Sequence, residues 1–208
     1  LPQVTSFDGS QTFIQLVNPT SEWLNLSLTL KDDQGQNVAP PASVEIRSGH
    51  SLKESLRNLF SLTDPGYQGS GWVLVESDKP GLVGDAELQL FEGQALTTVP
   101  LQYAPASNLL FSHVAQGLGM STGLAIINTE DVAANVVLSV FDPDGNMVEH
   151  TEFSIPPRGR DTRLLKEYFS DFGEQLGGYI TLDSDREVVG LELFYSDNLA
   201  FISAVLPQ

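Results

Sequence analysis

The strongest constraint on how this chain can fold is that it repeats itself. The segment Phe13-Ile-Gln-Leu-Val-Asn18 returns as Gly123-Leu-Ala-Ile-Ile-Asn128, an offset of 110 residues. The same offset places Asn25 on Asn135, Leu28 on Leu138, Asp32 on Asp142, Gly35 on Gly145 and Val38 on Val148. After small deletions it becomes 107: Gly71-Trp-Val-Leu-Val-Glu-Ser-Asp78 matches Gly178-Tyr-Ile-Thr-Leu-Asp-Ser-Asp185, and Gly84 then falls on Gly190. Leu1-Pro-Gln-Val4 corresponds to Phe111-Ser-His-Val114, and Leu206-Pro-Gln208 repeats the first three letters, where a further copy would begin. The 208 residues are therefore read as two tandem domains, 1–103 and 111–208. A linker over 104–110 joins them, in the small, turn-forming neighbourhood of Tyr103-Ala-Pro-Ala-Ser-Asn108.

Inside one copy the hydrophobic period is two. Leu24, Leu26, Leu28 and Leu30 alternate with Asn25, Ser27 and Thr29, as Val136, Leu138 and Val140 alternate in the second copy; this is a strand with one face inward. Asp32-Asp-Gln-Gly35 and Asp142-Pro-Asp-Gly-Asn146 follow, the residues that a tight hairpin with positive φ requires. One helix per copy is expected to interrupt this grammar. Ser51-Leu-Lys-Glu54 fits a capping box ahead of Leu52, Leu56, Leu59 and Phe60, and Leu165, Tyr168, Phe169 and Phe172 follow Asp161 in the same way. The fold class is all-β: two tandem sandwich repeats of roughly seven strands, each with one short helix in a crossover connection.

Composition narrows the partners. The formal charge is −17, with 12 acids and 5 bases in residues 1–104 and 15 and 5 in 105–208. Such a surface repels phosphate backbones and anionic lipids, so nucleic acid is not an expected partner. Absence of cysteine removes disulfides, thiolate metal sites and thiol nucleophiles. No run approaches a membrane span, so membrane insertion is not expected, and Leu1 opens no charged-then-apolar leader, so a signal peptide would already have been removed.

Leu16-Val-Asn-Pro19, Phe141-Asp-Pro-Asp-Gly-Asn146, Ile155-Pro-Pro157, Arg163-Leu-Leu-Lys-Glu-Tyr-Phe169, Gly178-Tyr179 and Ser184-Asp185 together resemble a repeat of bacterial secreted and cell-surface proteins, in which immunoglobulin-like sandwiches of unknown function are strung in tandem. The resemblance covers nearly the whole chain through a pattern of strand edges, turns and a connector. It implies immunoglobulin-like repeats, a secreted, periplasmic or surface setting, and an adhesive, spacer or interaction role. It brings no functional residues with it.

Few residues are arranged for chemistry. Gly119-Met-Ser-Thr-Gly123 matches the nucleophile-elbow pattern, but it runs into the strand Leu124-Ala-Ile-Ile127 instead of a helix. A hydrolase using Ser121 with His113 is the remote reading. His50, His113 and His150 lack metal-ligand spacing. Calcium is the one cofactor with candidates: Asp142 and Asp144 alternate with Asn146, and Asp183 and Asp185 form a second pair. Hairpin turns need these same residues for backbone reasons, and that is the preferred reading, with no catalytic residue, cofactor or resident metal assigned.

Contact surfaces remain. Seven of the ten bases, Arg158, Arg160 and Arg163 among them, gather around the helical connectors and are expected to meet acidic loops of their own or a neighbouring repeat. Trp72 and Tyr179 hold equivalent places at the head of an apolar strand, where an aromatic fills the core more often than it stacks on a sugar. Trp23 stands where the second copy has Ala133 and is the best candidate for an exposed contact. The expected function is a non-catalytic structural or adhesive module that meets a protein or polysaccharide at the cell surface. The alternative is a carbohydrate-binding module accessory to an extracellular enzyme.

Overall fold

A computed structural model describes residues 1–7, 9–62, 69–90, 92–198 and 200–208. The chain forms two compact units, one of Leu1–Asp32 with Gln36–Gln102 and one of Asp33–Gly35 with Tyr103–Gln208. Both are built almost wholly of antiparallel strands.

The first unit contains β1 (Val4–Ser6), β2 (Gln11–Val17), β3 (Leu24–Lys31), β4 (Ala42–Ile46), β5 (Ser51–Ser55), α1 (Leu56–Leu59), β6 (Gly69–Ser77), β7 (Val83–Leu90) and β8 (Ala95–Pro100). Two four-stranded sheets result, β1-β6-β3-β4 and β5-β2-β7-β8. The alternating leucines of β3 are buried, and Ile14, Leu16, Val73, Ala86, Leu88 and Val99 supply the other strands' share of the core. Removing these side chains from water supplies the driving force, at roughly 25 cal/mol per Å² of apolar surface.

The second unit contains β9 (Ala106–Phe111), β10 (Ala115–Gln116), β11 (Met120–Asn128), β12 (Ala134–Phe141), β13 (Met147–Ile155), β14 (Arg160–Leu164), α2 (Leu165–Tyr168), β15 (Gln175–Leu176), β16 (Tyr179–Ser196) and β17 (Ile202–Val205). β10 and β15 make a small ladder of their own; the other strands share one sheet through the 18-residue β16. The first half of β16 pairs with β12 and β9, and its second half with β11 and β17. Divided at the register shift between Asp183 and Val188, the orders β9-β16-β12-β13 and β14-β11-β16-β17 reproduce those of the first unit. In the first unit the corresponding strand is broken: β6 and β7 are separated by a connection containing Pro80-Gly81, and a proline there has no N–H for the ladder. Leu109 and Phe111 of β9, Leu138 of β12, Leu182 of β16 and Leu124 and Ile126 of β11 meet in one buried cluster.

Three expectations from the sequence need correction. Ser51–Ser55 is strand β5, paired with β2, so Ser51-Leu-Lys-Glu54 caps nothing; the single turn α1 is capped by Ser55, whose Oγ accepts from the Asn58 N–H. Asp161 likewise lies within β14, and α2 begins at Leu165, with Glu167 accepting the Leu164 N–H at 2.7 Å. Most of the stretch 104–110 is strand: β9 pairs with β16 from Phe111↔Ile180 to Ala106↔Val188. In each case cross-strand pairing by distant residues overrides a local signal.

Candidate functional site

The residues that repeat between the units hold turns. Asn18 is fully buried; its Nδ2 donates to the carbonyls of Glu22 (2.6 Å) and Ile46 (2.9 Å), and its Oδ1 accepts from the Thr20 N–H. Asn128 does the same with Val132 (2.6 Å), Pro156 (3.0 Å) and the Glu130 N–H. Asp78 accepts both the backbone N–H and Nδ2 of Asn25, and Asp185 accepts both from Asn135. These bonds favour the ionised carboxylates and hold Asp78 and Asp185 below the usual aspartate range, the backbone N–H bond contributing most.

The calcium candidates are committed in similar ways. Asp142 Oδ1 accepts the amides of Asp144 and Asn146, and its Oδ2 accepts the Asn146 side chain, which lowers its pKa. Asp144 is exposed in that turn, and Asp183 accepts from Asn108. Asp183 and Asp185 border a shallow cavity of about 510 Å³ with Val137, Glu152 and Phe153. Among the described residues no group of three or more acidic or histidine side chains is placed to hold a metal ion.

The arginines pair inside the second unit. Arg158 makes a two-pronged bond to Asp131, Nε to Oδ1 at 2.7 Å and Nη2 to Oδ2 at 3.1 Å. Arg163 does so with Asp161 and lies over the rings of Phe153 (4.7 Å) and Tyr168 (4.1 Å), while the Tyr168 hydroxyl also donates to Asp161. Arg160, at the head of β14 opposite Ile127, is buried, with its Nε donating to the Asp33 carboxylate at 2.8 Å.

The aromatic candidates divide. Trp23 is 49% exposed, with the Arg47 guanidinium over its ring at 5.1 Å. Trp72 is 3% exposed and is therefore no contact residue. Tyr179 is half-buried, stacks on Phe141 at 4.7 Å with planes 7° apart, and borders a cavity of about 420 Å³ with Leu110, Ser112, Pro143 and Gly178. Ser121 lies within β11, away from any strand-to-helix turn, and its hydroxyl donates to Asp197 at 3.1 Å; His113 lies against Phe194.

One residue escaped the sequence reading. Glu192 on β16 is 0% exposed, and neither carboxyl oxygen has a hydrogen-bond partner. Burial pushes its pKa up to about 8. The signal was in the repeat: continuing the Gly84 to Gly190 alignment by two residues sets Glu192 on Ala86, which is fully buried.

No family model and no curated protein matches the chain. Among solved structures, the crystal structure of Thermotoga maritima 1070 is 18% identical, covers 51% of this chain and 96% of its own, and has a TM-score of 0.44. The Anabaena sensory rhodopsin transducer is 12% identical over 44% of this chain and 99% of its own, with a TM-score of 0.38. Both neighbours are small β-rich domains.

Proposed function

We propose that this chain is a non-catalytic structural or adhesive module of a secreted or surface-exposed bacterial protein, made of two copies of one immunoglobulin-like sandwich. The observation that carries the reading is what repeats. The buried Asn18 and Asn128, and the Asn25–Asp78 and Asn135–Asp185 clasps, recur in equivalent places and fasten turns. At the surface the copies differ, as at Trp23, where the second copy has Ala133. A common frame with a variable exterior suits a module that meets a protein or polysaccharide.

Carbohydrate binding is the second reading, favoured by half-exposed Trp23 and by Tyr179 beside its cavity. Tryptophan fluorescence during titration with a polysaccharide panel separates the two. Trp23 is the solvent-facing member of the chain's pair of tryptophans, so a saturable change that Trp23→Phe abolishes establishes the sugar-binding module. No change with any polysaccharide leaves the structural or protein-binding reading. Turnover of ester or glycoside substrates that disappears in Ser121→Ala overturns both.

A further inference from the structure

Glu192 is a core position occupied by a carboxyl. It pairs with Leu124 of β11 on one side and Val205 of β17 on the other, and residues directly opposite in antiparallel strands share a face. That face is the inner one: at Gly190, two residues earlier on the same side of β16, an added Cβ would strike the Phe111 ring at 2.7 Å and Leu109 at 2.9 Å. The corresponding place in the first unit holds Ala86, between Ile14 and Val99. The cover also differs. The inward residues of β8, Ala95, Thr97 and Val99, are buried, whereas every residue of β17 is only half-buried.

We propose that Glu192 is a proton-controlled latch on β17: neutral, it lets β17 close the edge of β16; ionised, it reaches water by displacing β17 and uncovers that edge. Neither β11 nor β17 carries a titratable side chain opposite it. On neighbouring elements, Asp161 and Arg163 of β14 pair with each other, α2 carries Lys166, Glu167 and Tyr168, and His113 lies on Phe194. Asp197 is bonded by Ser121, and Tyr195 lies on the opposite face of β16. None of these bonds the Glu192 carboxyl. A raised pKa in the closed state means that closure is fully favoured on the acid side and is lost as pH rises from the ordinary carboxylate range through about 8.

Hydrogen exchange on the full chain at about pH 5.5 and about pH 8.5 tests this, with the ratio of β17 to β8 protection cancelling the base catalysis of exchange itself. The ratio is expected to fall by about a hundredfold in the parent chain, and to stay level in Glu192→Gln and in Glu192→Ala, which installs the residue of the first unit. A level ratio in the parent chain, or the same fall in either variant, overturns the latch. So does a carboxyl carbon resonance of Glu192 that titrates in the ordinary glutamate range.

Discussion

Asparagine belongs in a core only when each of its polar atoms is satisfied, and Asn18 and Asn128 meet that condition with carbonyls from two separate chain segments. Replacement removes several bonds of one buried side chain at once, so Asn18→Ala and Asn128→Ala are each expected to cost about 2–4 kcal/mol in denaturant unfolding. Gly178 is equally constrained: a Cβ there would lie 2.1 Å from the Phe141 carbonyl, as one at Gly71 would lie 2.3 Å from that of Lys31. Gly178→Ala is therefore expected to cost about 2 kcal/mol or more, read by the same measurement. The repeated residues were visible in the sequence because repetition marked them. Glu192 was not, because Leu191-Glu192-Leu193 reads as an alternation with the acid outward, while the ladder turns it inward.

For the elements, legibility followed how local the cause was. The leucines of β3 and the turn after β12 declare themselves through period and turn chemistry. The helices did not: Ser51 and Glu54 have the right spacing for a cap, yet the amides of that segment are taken by β2. Cap variants measure the difference. Ser55→Ala is expected to lose about 1 kcal/mol, whereas Ser51→Ala, on an exposed strand position, should leave the unfolding midpoint unchanged. Similarly, nothing in Ala106-Ser-Asn108 announces a strand; its pairing is decided by β16, more than seventy residues further on.

Across the chain, a net charge of −17 makes self-repulsion a standing opponent of folding. Added salt is expected to raise Tm at neutral pH, by screening over about 8–10 Å. Acidification has two opposite consequences. Down to the ordinary carboxylate range it relieves repulsion and favours neutral Glu192. Below that range, stability supplied by the depressed Asp78, Asp142 and Asp185 is lost as pH falls through their folded values. Calorimetry across pH should thus place the stability maximum of the parent chain on the mildly acidic side, and Glu192→Gln should flatten its alkaline flank.

The unbroken run of β16 has a mechanical side. A single strand that belongs to both halves of the second unit carries load from one half straight into the other, whereas the Pro80-Gly81 interruption gives the first unit a place to yield. Stretched end to end, the second unit is expected to rupture in one event and the first to give way in two, so a pulling trace would tell the two units apart although their strand orders do not.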